Sequence, residues 1–323
     1  MKKPTLLVIR STSKKDSFFT QAGERGYDGL SQFFDILTIG INDLLFEERQ
    51  DRTEIYIRSN KGFVNIDEYK IKAVILWLFD DFNDFIFSMI DVFTDKGIYV
   101  LNRKIFGRCT KINGYRLLKK AGYGERVIPN YFGYNGKSFY QRSIDWLTGK
   151  TGWRFLMKGN DGYGGEFVFD YGTFLKKSRK AFFHKSAWIF QKYIQNDGDV
   201  RVMVSGDWVF AYKRIRANET SLTNNVSQGG SMEAFQLPEH IQKEVLDIAH
   251  KIEGDYLGFD YIIDKQTGEW YILEINETTI GTANMQDLFG VNPYEHVGKC
   301  LYEKISSTIQ KQEDIFQSHA TFR

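Results

Sequence analysis

Gly258-Phe259-Asp260-Tyr261-Ile262-Ile263, a polar turn through Lys265-Gln266-Thr267-Gly268, and Trp270-Tyr271-Ile272-Leu273-Glu274-Ile275-Asn276 form the stretch on which the reading of this chain turns. Two apolar runs joined by a short turn with a glycine predict a β-hairpin. Three hard oxygen donors, Asp260, Glu274 and Asn276, stand among these apolar residues. Charge in a half-buried strand is costly without a partner, and carboxylate and amide oxygens suit magnesium. Glu274 and Asn276 are two apart and therefore share a strand face. Asp260 joins that face only if the ladder sets it opposite them, which in an unbulged hairpin requires an odd number of loop residues. The hairpin is a candidate metal site, although a half-solvated polar strand face would show the same residues.

Composition narrows the field. The chain has 323 residues, enough for two or three subdomains with a buried core. Lys+Arg total 43 against 41 Asp+Glu, a formal +2, which gives no general case for nucleic acid or a membrane surface as partner. Cys109 and Cys300 are too far apart in sequence for a metal cluster, and such sparse cysteine fits a reducing compartment. The apolar run after Lys2-Lys3 ends at Arg10, so it reads as a first strand and not a signal core. Asp80, Asp81, Asp84 and Asp91 interrupt the apolar run from Ala73 to Phe93, which excludes a membrane-spanning helix there. A cytoplasmic location follows.

Working outward toward the N-terminus, periodicity predicts an α/β unit over 1–105. Its strands are at 5–10, 34–39, 53–58, 72–78 and 97–101, with a helix over 82–95. A helix over 108–121 stops at Gly122. Strands at 127–132 and 153–158, a helix at 172–180 and a strand at 187–194 follow. A hairpin at 199–205 and 207–216 leads into a polar loop over 217–230. A helix over 239–253 follows Pro238, and a last helix near 293–310 precedes a frayed tail.

Several pieces carry chemistry only weakly by themselves. Lys158 precedes a loop with Gly159, Gly162, Gly164 and Gly165. Glycines let a backbone approach phosphate, and the lysine adds charge. It is not a Walker loop, because the helix-opening Gly-Lys-Ser/Thr is absent, nor a dinucleotide fingerprint, because Phe167-Val168-Phe169 resumes a strand where that fingerprint needs a helix. Gln191-Lys192-Tyr193-Ile194 is an apolar strand running into a polar stretch with Asp199 and Arg201 beyond it. Arg214, Arg216, Asn224, Asn225, Gly229 and Gly230 form a basic, amide-rich patch suited to an anion. Histidines 184, 240, 250, 296 and 319 show no ligand spacing.

The order of these pieces is more specific than any one of them. From Lys111 to Ile305 it resembles the ATP-grasp superfamily, and within it the RimK-like carboxylate–amine ligases. The resemblance implies an α/β (α+β) fold of two α+β lobes clasping ATP, preceded by an N-terminal α/β domain. The corresponding boundaries are 1–105, 106–186, 187–310 and a tail at 311–323. It implies that Lys111, with Leu117-Leu118 and Ala121-Gly122 behind it, is the first ATP lysine. Lys158 with Gly162, Gly164 and Gly165 is then the second lysine and its phosphate-covering loop. Gln191, Lys192, Tyr193 and Ile194 form the adenine hinge, and Asp199 is the ribose-side acid. Arg216 and Asn225 lie near the terminal phosphates, with Arg216 and Asn276 taking catalytic roles. Asp260, Glu274 and Asn276 hold magnesium.

Three positions depart from the pattern: Lys192 stands where a glutamate is usual, Thr223 where arginine is frequent, and Glu277-Thr278-Thr279-Ile280 where small residues and proline are expected. The last borders the acceptor site in the family, so the substrate stays open. The implied activity is ATP-dependent amide formation through an acyl phosphate, releasing ADP and phosphate. The implied cofactors are ATP and two Mg2+ ions, with Mn2+ as an alternative. The partners are a small-molecule or peptide carboxylate and amine, with no nucleic acid and no membrane. Homo-oligomerisation is left open. Three variants remain: an amino-acid or glutamate-adding ligase, a peptide- or protein-modifying (macrocyclising) ligase, and a non-catalytic nucleotide- or peptide-binding module.

Overall fold

The computed structural model describes residues 2–11, 26–60, 62–78, 84–134, 145–160, 168–170, 173, 187–216, 230–277 and 285–320. The first hundred residues build a parallel sheet in the order β2 (Asp35–Gly40), β1 (Thr5–Arg10), β6 (Ile71–Trp77), β7 (Tyr99–Val100). Leu6, Leu7, Val8 and Ile9 are all fully buried, the unbroken apolar run expected of a parallel strand covered on both faces. Helix α1 (Asp84–Asp95) carries the chain from β6 to β7 and buries Ile86, Met89, Ile90 and Phe93. Beside this sheet, β3 (Leu44–Glu48), β4 (Thr53–Ser59) and β5 (Gly62–Asn65) form a small antiparallel sheet. Only β4 is legible from periodicity. β3 and β5 are short and half exposed, and they are strands because β4 pairs with both.

A second, four-stranded sheet has the order β10 (Val168–Asp170), β9 (Phe155–Gly159), β11 (Ala187–Lys192), β8 (Asn130–Tyr134), antiparallel throughout. The helix expected at 172–180 and the loop at 217–230 fall almost wholly outside the described residues. The third large sheet runs β14 (Ser231–Ala234), β13 (Trp208–Ile215), β12 (Asp199–Ser205), β15 (Tyr256–Ile263), β16 (Trp270–Asn276).

That five-stranded sheet is covered on both faces, and the cover differs. Val200, Val202, Val204, Leu257, Phe259, Tyr261, Ile272 and Ile275 face helices α2 (Lys111–Lys120) and α3 (Glu239–Lys251), packing with Leu118, Ile241, Val245 and Ile248. Each such buried side chain contributes roughly 1.5–3 kcal/mol relative to exposure. The opposite face carries Met203, Tyr212 and Tyr256. These pack with Leu6, Val8, Ala73 and Ile75 of the parallel sheet, with Met285 of α4 (Met285–Phe289), and with Val297 and Leu301 of α5 (Pro293–Ala320). The sequence reading ends the last helix at 310, but α5 continues to Ala320. Residues 311–320 contain no glycine or proline, so no stop signal is present. No helix among the described residues is long and apolar enough to cross a membrane.

The β15–β16 hairpin holds an irregularity that periodicity does not reveal. Ile263 pairs with Trp270, leaving 264–269 as the loop, an even number of residues. That register alone would set Asp260 opposite Leu273. The ladder shifts between Asp260 and Tyr261, however, so that Tyr261 pairs with Ile272 and Asp260 with Glu274. Leu273 is the extra residue of a β-bulge. The odd-loop condition is thus not met, and the bulge supplies the missing residue.

The parallel sheet is fastened to this hairpin by one buried amide. Asn102 sits in the left-handed region (φ 58°), where asparagine is better tolerated than most residues. Its Nδ2 donates to the carbonyls of Tyr256 and Glu277, both at 2.7 Å, and its Oδ1 accepts from the N–H groups of Asp255 (2.7 Å) and Tyr256 (3.0 Å). Asp255 in turn accepts from the Asn102 N–H (2.6 Å), the Tyr99 hydroxyl (2.8 Å) and Lys304.

Candidate active site

The polar end of the five-stranded sheet lies on the face away from α2 and α3. Arg201, Asp260 and Glu274 form one row across β12, β15 and β16, each directly opposite the next. Asp199 and Arg214 pair across β12 and β13 on the same face. Arg201 grips Asp260 through Nε and, at 2.8 Å, through Nη2. Arg214 bridges Asp260 Oδ2 (2.7 Å) and Asp199 Oδ1 (2.5 Å). Asp260 is only 2% exposed. Burial by itself would raise its carboxyl, but the two guanidinium groups override this and hold it well below the usual carboxylate range. A buried acid held charged in this way costs little only because both charges are paired and hydrogen-bonded.

Two lysines reach this row from other elements. Lys111 opens α2, and its Nζ lies 3.9 Å from Glu274 Oε2. Lys158 is buried near the end of β9, opposite Val168 on β10 and Ile189 on β11. Burial first and neighbouring Lys111 second lower the Lys158 ammonium to about 8, against the opposing pull of Glu274, Asp199 and Asp260. That balance requires all five groups to share one neighbourhood. The residue after Gly159 ties the two lysines together, because Asn160 Oδ1 accepts from the N–H of Ile112 at 3.0 Å in the first turn of α2.

The buried lysine has a stability consequence. Its folded-state value of about 8 lies below the ordinary 10.5. Below pH 8 both folded and unfolded states hold the proton and the full penalty is present; between about 8 and 10.5 the unfolded chain binds more protons, so stability rises with pH. Lys158→Met is therefore expected to be more stable than the native protein at pH 7, on the order of 2 kcal/mol. That advantage shrinks as pH climbs toward 10.5. Urea unfolding across pH 7–10 measures it.

The stretch expected to form the hinge begins on β11, which pairs with the strand of Lys158, and runs past its end to Ile194. The Gln191 side chain is 1% exposed, and its Nε2 donates to the Tyr115 hydroxyl at 2.9 Å. The N–H groups of Lys192 and Tyr193 donate to the carbonyls of Pro129 (2.9 Å) and Arg154 (2.8 Å), so neither faces an adenine edge. Lys192 Nζ sits 5.5 Å from the centre of the Trp153 ring, and the Arg154 guanidinium 4.4 Å from that of Tyr193. Ile194 packs with Ile128, Ile262, Tyr271 and Leu273 beside the bulge. Arg216 is turned to Asn196, whose carbonyl accepts from its Nη2 at 2.8 Å. Gly162, Gly164, Gly165 and Asn225 lie outside the described residues.

Asn276 follows two residues after Glu274, its Nδ2 3.5 Å from Glu274 Oε1. Among the described residues no group of three or more His, Cys, Asp or Glu gathers as a metal cluster. The donor set is two carboxylates and one amide, which fits a hard cation that keeps waters and phosphate oxygens among its ligands better than a cation needing an all-protein cage. Glu277, expected to open a substrate-facing loop, is buried instead. Its Oε1 accepts from the Gly107 N–H at 3.1 Å, and burial pushes its carboxyl up to about 7 against hydrogen bonds from Cys109 and nearby backbone. The loop beyond it, 278–284, lies outside the described residues. Sequence reasoning missed Tyr115, whose only signal is a polar group within the buried Gly114-Tyr115-Leu118 stripe of α2.

Residues 173–297 match the RimK-like ATP-grasp domain family. A curated relative, a tetrahydromethanopterin:alpha-L-glutamate ligase of Methanosarcina acetivorans, is 29% identical over 197 residues. That match covers 55% of each protein, so the chain spans about half the length of the curated relative it matches. Among solved structures, an ATP-grasp ligase associated with ribosomally made, modified peptides of Chryseobacterium gregarium, in complex with ADP and a leader and core peptide, superposes with a TM-score of 0.65. It is 14% identical, with 93% of this chain and 97% of that one covered. D-alanine–D-alanine ligase from Bacillus anthracis, complexed with ATP, gives a TM-score of 0.63 at 17% identity, over 96% and 99% of the two chains.

Proposed function

We propose that this chain, which has the ATP-grasp fold and carries a RimK-like domain, is an ATP-dependent carboxylate–amine ligase that releases ADP. The observation that carries the reading is the convergence of Lys111 of α2 and Lys158 of β9 on Glu274, Asp260 and Asp199. Two lysines beside three acids, two of them already paired with Arg201 and Arg214, suit a polyphosphate chelated to a divalent cation. In this reading the β8–β11 sheet and the five-stranded sheet are the two lobes; because β11 pairs with β8 and β9, the boundary between them lies beyond Lys192 and not at 186/187, and Ile194 lines the adenine side.

A carboxylate oxygen of the substrate attacks the terminal phosphorus of ATP, the bond to the ADP oxygen breaks, and an acyl phosphate forms. The amine nitrogen then attacks the acyl carbon, phosphate departs with the bonding pair, and the nitrogen loses a proton. Lys111 and Lys158 neutralise charge on the phosphates and hold them in line. Arg201 and Arg214 keep Asp260 ionised and aimed. Asp260, Glu274 and Asn276 would hold two Mg2+ ions, or Mn2+, which when bound would supply neutralisation of the phosphate charge. No side chain of this chain forms a covalent bond to the substrate.

The direct test is ADP release from Mg–ATP with L-glutamate or short peptides supplied as amine and carboxylate, with hydroxylamine added to trap the acyl phosphate as a hydroxamate. Hydroxamate and ADP in equal amounts are expected. ATP bound without ADP release across these substrates points to the non-catalytic module.

A further inference from the structure

We propose that Tyr115 is a positioning residue that holds the β16 bulge and thereby keeps Glu274 on the metal-binding face; this rests on the ligase reading above. Tyr115 lies one helical turn beyond Lys111 on α2 and is 4% exposed. Its hydroxyl donates to the carbonyl of Leu273 at 2.9 Å and accepts from Gln191 Nε2 at 2.9 Å. One O–H group thus touches three parts of the site: the helix that bears Lys111, the strand that leads into the hinge, and the bulge beside Glu274.

The position of that hydrogen bond is the point. Leu273 is the residue added by the register shift. The extra residue of a bulge loses its ladder partner, and a part-buried carbonyl left without a donor carries a desolvation cost. Tyr115 supplies the donor. Its removal favours the register of the outer hairpin, in which Ile263 pairs with Trp270 and Tyr261 with Ile272. Continued inward, that register sets Asp260 opposite Leu273 and Glu274 opposite Phe259. Phe259 belongs to the face packed on α2 and α3. A one-residue slip therefore turns Glu274 away from Asp260 altogether. The core resists the full slip, so loss of the hydroxyl loosens the strand and weakens the metal site without dismantling the sheet.

The test is Tyr115→Phe in the full chain, which removes the hydroxyl and keeps the ring. Binding of Mn2+ in the presence of a non-hydrolysable ATP analogue is followed by electron paramagnetic resonance. Binding of a fluorescent ATP analogue is measured separately without metal. The expected result is Mn2+ affinity lowered roughly tenfold, with metal-free nucleotide affinity changed less than about twofold. A role in packing alone would lower both together. Native-like Mn2+ affinity in folded Tyr115→Phe overturns the role of Tyr115 and leaves the ligase reading standing. Absence of nucleotide-dependent Mn2+ binding by the native protein overturns both. Should Tyr115→Phe not fold, hydrogen exchange on the native protein decides: amides of 273–276 and of 113–117 gain protection over the same Mn2+ range, and independent ranges overturn the proposal.

Discussion

Glu274→Gln lowers ATP-dependent ADP release by about 10²–10³-fold, the loss typical of removing one preorganised electrostatic partner at a reacting centre. The change keeps size and shape and removes one negative charge. Lys111 loses an acid 3.9 Å away, and Lys158 loses the first of the charges that raise its pKa. With Glu274 neutral, the Lys158 value of about 8 moves lower, so the ammonium needed against phosphate is partly deprotonated near neutral pH. The defect therefore deepens as pH rises from 6 to 8, whereas loss of a metal ligand alone would lower the rate evenly across that range. Initial rates at limiting ATP and several pH values, which report the groups of the free protein, separate the two. Circular dichroism and a melting curve matching the native protein confirm that the fold is kept. ADP release within a few fold of native would remove Glu274 from the chemistry and with it the reading of the hairpin.

The largest stability effect falls on the buried Asn102 amide. Asn102→Ala is expected to cost about 3–5 kcal/mol, at the upper end for single substitutions, because it strips partners from four buried backbone groups at once. Those groups are the N–H of Asp255, the N–H and carbonyl of Tyr256, and the carbonyl of Glu277. Asn102→Gly loses the same hydrogen bonds but accepts the positive φ without strain, so it should be roughly 1 kcal/mol milder than alanine. Urea unfolding of the three proteins checks both the size and the order. If alanine and glycine destabilise by less than about 1 kcal/mol, the amide is not the fastening it is taken to be.

The two cases differ in how visible they are from sequence. Glu274 stands out because a charged residue between Leu273 and Ile275 contradicts the apolar pattern around it. The order of lysine, glycine loop, hinge and hairpin is likewise a linear property, which is why the architecture can be read before any coordinate is seen. The bulge at Leu273 cannot be read so, because an apolar residue between Ile272 and Glu274 fits a regular strand equally well. Its existence depends on Asp260 across the ladder and Tyr115 across the domain. Asn102, Glu277 and the pairing of Arg214 with Asp260 are hidden for the same reason. Their partners lie 153, 170 and 46 residues away, beyond any periodicity. β3 and β5 escape notice because their strand character comes from β4.

The Asn102 fastening also bears on ancestry. Its amide grips the residue immediately after Asn276 and the first residue of β15, so the strands offering Asp260, Glu274 and Asn276 are closed at one end by a side chain from the parallel sheet. A recombination event that replaced residues 1–102 would leave both strand ends with bare polar backbone unless the incoming segment brought its own asparagine in a left-handed turn. The two regions are thus expected to be inherited as one unit, and hybrids of distant relatives should fold only when crossed over on the far side of residue 102 from the hairpin's partners.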